Sequence, residues 1–124
     1  MNATPINTAK DSLIELRDAL RQFANERDWG RFHSPKNLAI AISVEAAELL
    51  EHFQWLSEAE CADIQPDAKA TLAEELADVL LYVLQLADKL DLDLATAARD
   101  KLQKNAVKYP IEKSRGNSKK YNEL

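Results

Sequence analysis

The chain has 124 residues, enough for one domain with a real core and too few for two independent ones. Apolar residues make up 46% and only two residues are glycine, with Ala and Leu dominant, so the composition predicts an all-α fold. A net charge of −5 argues against binding to nucleic-acid polymers, the lone Cys61 has no partner for an internal disulfide, and no apolar run is long enough to span a bilayer. The chain reads as soluble and cytoplasmic, with no membrane partner and no leader segment.

After a polar lead-in containing Pro5, Leu13, Leu16, Leu20 and Phe23 mark one face of a first helix that runs to about Arg27. A loop from Trp29 to His33 follows. Ser34-Pro35 is a helix start, because the serine hydroxyl accepts from free amides and proline at the first position loses no needed bond. Leu38, Ile42, Ala46, Leu49 and Phe53 carry this second helix to about Leu56. A connection to Ala68 holds the capping pattern Ser57-x-x-Glu60. A third helix from about Asp67 to Leu90 is apolar around most of its circumference and belongs at the centre of a bundle or in a subunit interface. Asp93 caps a fourth helix, which runs to about Lys108 and stops before Pro110. Residues 1–110 therefore read as a helical domain and 111–124 as a basic tail that needs a partner to become ordered.

The charges are unevenly spread. No Lys or Arg occurs from Asn37 to Ala68 or from Ala70 to Asp88, yet these stretches carry most of the acids. Glu45 and Glu48 are three apart on the second helix, Glu75 and Asp78 three apart on the third, and both pairs flank the apolar stripe. Four partly buried carboxylates without a neighbouring cation repel one another unless a positive ion lies between them. Oxygen-only ligation suits Mg²⁺ or Mn²⁺ better than zinc or copper. A ferritin-like di-iron bundle is excluded because it needs Glu-x-x-His on two helices, and neither His33 nor His52 has that spacing. The competing reading is a pair of solvated helix faces.

Specific residues carry a resemblance. Arg27-Asp28-Trp29, Phe32-His33-x-Pro35-x-Asn37-Leu38, Glu45-Ala46-Ala47-Glu48-Leu49, Phe53-Gln54-Trp55, Glu74-Glu75-Leu76-Ala77-Asp78-Val79 and Lys108-Tyr109-Pro110 occur in order along nearly the whole chain. In this the sequence resembles the MazG-like nucleotide pyrophosphohydrolases, and among them the dCTP pyrophosphatase branch. The resemblance implies a four-helix MazG-like bundle assembled as a homodimer or a dimer-of-dimers tetramer. It implies Mg²⁺ held by Glu45, Glu48, Glu75 and Asp78, and attack of water at the α-phosphorus of a nucleoside triphosphate, releasing pyrophosphate. One of these carboxylates, Glu74 or Glu51 would act as base.

Other matched positions fit the same chemistry. Trp29 and Trp55 offer flat faces to a nucleobase, although tryptophans in such places also plug bundle ends. His33 is placed near the base or sugar, or bonds locally in its loop. Lys101, Asn105 and Lys108 share a face of the fourth helix and Tyr109 follows, a set that either meets phosphates or is a solvated basic face. Tyr82, one turn beyond Asp78, donates its hydroxyl to the site or packs at an interface. Two departures stand out. Ala46-Ala47 replaces a glycine common in the family, and Leu20 stands where the vertebrate dCTP enzymes carry a polar ring facing the base. The base is therefore open: dCTP, a modified dCTP, dUTP and dATP are all compatible, as is a non-catalytic helical module that merely dimerises.

Overall fold

The computed structural model describes residues 12–124; the lead-in with Pro5 lies outside them. The described residues form helices and turns with no strand. Helix α1 spans Ser12–Glu26, α2 Pro35–Glu51, α3 Glu58–Cys61, α4 Pro66–Lys89, α5 Leu94–Lys108 and α6 Ile111–Ser114. The backbone forms two compact units, one ending at Leu92 and one from Asp93 to Leu124.

In the first unit α4 packs against both α2 and α1, as its broad apolar circumference requires. The contact is sealed by Leu38, 1% exposed, and Leu84, 3% exposed, with Ala87 beside them. Asp28 closes α1 in the left-handed region, at φ 53°, and the chain passes through a 3₁₀ turn, Gly30–Phe32, into α2. There Ser34 Oγ accepts from the Asn37 amide, and the Asn37 side chain donates to the Phe32 carbonyl at 3.0 Å, tying the turn to the helix start.

Helix α2 stops at Glu51, five residues short of the Leu56 expected from periodicity. The amides of His52 and Phe53 bond to Leu49 and Leu50, three residues back, which tightens the chain into a turn. Ser57 then opens α3 with a complete capping box: its hydroxyl accepts from the Glu60 amide and the Glu60 carboxylate accepts from the Ser57 amide.

In the second unit Asp93 caps α5 through the Thr96 amide. Residues 111–124, expected to need an outside partner, find one in their own unit. Gly116 reverses the chain at φ 75°, and Tyr121 meets Tyr109 edge-on at 6.2 Å, with the Lys108 ammonium 4.9 Å above the Tyr121 ring. An aromatic at the end of a charged segment supplies the apolar contact that composition alone did not reveal.

Candidate active site

Helices α2 and α4 bring Glu45, Glu48 and Glu75 together: each offers a carboxylate oxygen, and these oxygens lie within 4.8 Å of one another. Glu45 and Glu75 are half-buried and Glu48 is exposed. Asp78 is exposed and stands outside this group of three, close enough for its charge to act on Glu45. Burial raises the Glu45 pKa, and the neighbouring Glu48, Asp78 and Glu75 push it the same way. Glu45 Oε2 and Glu75 Oε2 are withdrawn from solvent with no hydrogen-bond partner among the described residues. His52 Nε2 lies 3.6 Å from Glu75 Oε1.

Two orphaned carboxylate oxygens, converging with a third acid, form an all-oxygen donor set suited to a hard divalent cation. The set fits such an ion. A residual salt bridge does not replace it, since His52 reaches only the other oxygen of Glu75 and leaves Glu45 without compensation.

The other matched residues fall in both units. Tyr82 follows Asp78 by one turn of α4 and is half-buried. Trp29 meets Phe23 edge-on at 5.6 Å and His33 at 6.2 Å, so the Trp29 and His33 positions form one aromatic cluster at the turn before α2. Trp55 stands on the turn after α2 and is 86% exposed, a free face rather than a plug. Lys101, Asn105, Lys108 and Tyr109 all belong to the second unit, where Asn105 is half-buried and Lys108 lies over the Tyr121 ring.

The comparisons with known proteins agree with this geometry. The model of the MazG-like family matches residues 40–124, which include all four acids and most of the helical chain. The chain belongs to the MazG-like family. It is 44% identical over 115 residues to dCTP pyrophosphatase 1 of Rattus norvegicus, an alignment covering 91% of this chain and 68% of the relative. Identity to dCTP pyrophosphatase 1 of Homo sapiens is 41% with the same coverage. Among solved structures, a pyrophosphatase from Archaeoglobus fulgidus is similar with a TM-score of 0.76 and 40% identity, covering 89% of this chain and 98% of that one. This MazG-like chain is a nucleoside triphosphate pyrophosphohydrolase, and none of its described helices is long and apolar enough to cross a membrane.

Two residues near the site were not singled out by the sequence. His52 is noticed only once the fold sets it against Glu75. Gln85 lines a cleft between α1 and α4, and its Oε1 is buried without a partner. Its signal was available: apart from Tyr82, it is the lone polar side chain in the run from Val79 to Ala87.

Proposed function

We propose that the substrate is dCTP or a modified dCTP, cleaved to the monophosphate and pyrophosphate by water attacking the α-phosphorus. The similarity to dCTP pyrophosphatase 1 supports the base, and the pair of orphaned oxygens on Glu45 and Glu75 supports a cation at the acids. Glu45, Glu48 and Glu75 would hold Mg²⁺, or Mn²⁺ in its place, with Asp78 completing the set. The ion, when bound, polarises the phosphoryl oxygens and lowers the pKa of a bound water. The protein's own part is to fix these carboxylates on two packed helices so that little reorganisation is needed on binding. Tyr82 donates to the phosphates from the next turn of α4, and the Trp29, His33 and Trp55 rings serve the base and sugar. The family resemblance assigns Lys101, Asn105, Lys108 and Tyr109 of the second unit as cations and donors for a triphosphate.

A homodimer or a dimer of dimers goes with this function. Three buried side chains are a small core for the described residues, and the stripes Ile40 and Val44 on α2 and Leu76 and Leu80 on α4 stay open to solvent. A second copy would cover them. Control of the nucleotide pool in the cytoplasm is the role that fits such an enzyme.

The test is pyrophosphate release from dCTP, 5-modified dCTP, dUTP and dATP, with and without Mg²⁺. Preferential cleavage of the cytosine nucleotides, dependent on the metal, supports the reading. Preference for dUTP or dATP would reassign the base, and inorganic phosphate as product would move the scissile bond. No cleavage of any nucleotide would leave a dimerising helical module.

A further inference from the structure

The cleft between α1 and α4 lies wholly in the first unit and holds a cavity of about 80 Å³ behind an open mouth. Leu20, Ala24 and Leu84 give it apolar walls, and His33 reaches it from the aromatic turn. Arg21 and Asp88 lie across it as a bidentate ion pair, Arg21 Nε donating to Asp88 Oδ2 at 2.7 Å, while Arg17 and Lys89 stand at its edge and Arg17 pairs with Asp18 outside it. Of the two amides that line it, Asn25 and Gln85, Gln85 has a buried carbonyl oxygen with no partner among the described residues.

An unpaired buried amide oxygen carries a desolvation penalty that a ligand supplying an N–H would remove. Its position on the helix is equally informative. Glu75, Asp78, Tyr82 and Gln85 follow at spacings of three, four and three, a single stripe along α4. From Asp78 to Gln85 the helix rises roughly 10 Å, at about 1.5 Å per residue. That is the scale of the separation between the α-phosphate and the far edge of a pyrimidine in an extended nucleotide.

We infer that Gln85 is a specificity-determining residue: the α1–α4 cleft takes the nucleobase, and the Gln85 carbonyl accepts a hydrogen bond from an exocyclic amino group, as on cytosine. This rests on the reading of the chain as a deoxynucleoside triphosphate hydrolase. The apolar walls of Leu20, Ala24 and Leu84 take the ring's flat surface, and the amide distinguishes an amino group from a carbonyl at the same ring position.

The experiment compares kcat/KM for dCTP, dUTP and 4-deamino-dCTP, which lacks the amino group without added bulk, in the parent, Gln85→Leu and Gln85→Glu. The parent should prefer dCTP to both analogues. Gln85→Leu should lower kcat/KM for dCTP by roughly tenfold, mainly through KM, with dUTP and 4-deamino-dCTP little changed. Gln85→Glu, which only accepts, should keep the preference for dCTP. Ratios taken within one preparation are unaffected by a fraction of unfolded protein, and the parent's response to 4-deamino-dCTP reads the same contact with no variant at all. A dCTP to dUTP ratio in Gln85→Leu within about twofold of the parent's, or a parent that cleaves 4-deamino-dCTP as well as dCTP, overturns the inference while leaving the hydrolysis reading intact. A parent that cleaves no nucleotide overturns both.

Discussion

Glu45 on α2 and Glu75 on α4 face each other across a helix contact with one oxygen apiece withdrawn from water and bonded to nothing. In the absence of a cation this arrangement opposes folding, so the pair stores its purpose in its own instability.

Removing that repulsion has a sign that separates a metal site from a solvated surface. Glu45→Gln should raise the melting temperature of metal-free protein and abolish the further rise that Mg²⁺ gives the parent. Pyrophosphate release should fall by about 100-fold or more, exceeding the loss typical of outer-shell changes. A variant that melts lower than the parent without metal, or that still responds to Mg²⁺, would contradict the arrangement described here. Thermal melts with and without Mg²⁺ decide it.

The same carboxylate sets a pH dependence. Burial holds the folded pKa of Glu45 above its ordinary value of 4.5, so the folded state binds this proton more tightly than the unfolded one. Its contribution is fully present below pH 4.5 and is lost as pH rises through the raised folded value. Metal-free protein should therefore gain stability from this residue on mild acidification, and Glu45→Gln should lose that limb of the curve. Denaturant titrations across pH test it.

Asp88 works in the opposite sense. Its hydrogen bond to Arg21 holds its pKa below the ordinary 3.8, so its stabilisation is present above pH 3.8 and is lost as pH falls through the lower folded value. Asp88→Asn should cost about 0.5–1 kcal/mol at neutral pH, as befits a partly exposed pair, and flatten the acid end of the stability profile. Chemical denaturation at neutral and acid pH measures both.

Leu38 closes the contact that carries the acids. Leu38→Ala should cost about 2–5 kcal/mol by opening a cavity against α4, whereas Ser34→Ala, which only uncaps α2, should cost about 1 kcal/mol. If the two variants proved equally mild by denaturant unfolding, Leu84 and Leu38 would not be the seat of the core.

The open stripe on α4 makes its own statement about assembly. Leu80→Glu should shift the protein toward monomer in sedimentation or light scattering, since a charge there would be buried against a second copy. An unchanged oligomer, or a parent that is already monomeric, would remove that role from the stripe.

Much of this was legible in the residues. Period and caps placed four long helices, because Ser34-Pro35, Asp93 and the apolar stripes are local signals that tertiary packing did not override. The acid spacing foresaw a cluster across two helices, and the structure gathers Glu45, Glu48 and Glu75 while leaving Asp78 just outside their group. The end of α2 was less visible: nothing in Phe53-Gln54-Trp55 breaks a helix, and the stop comes from three-residue bonds at His52 and Phe53. The ordering of the tail depends on one ring, Tyr121, meeting Tyr109, a contact without periodicity. The His52 and Gln85 environments are created by partners distant in sequence, so local pattern could flag only the oddity of a glutamine among leucines.

One long helix, α4, carries Glu75 and Asp78 at its middle and the cleft-lining amide of Gln85 near its end. It thus behaves as a ruler whose graduations are helical turns. If Gln85 reads the base, nucleotides with a different base would be admitted by editing one graduation, while the distance to the acids stays fixed by the backbone. Selectivity and hydrolysis would then be separately adjustable properties of a single rod.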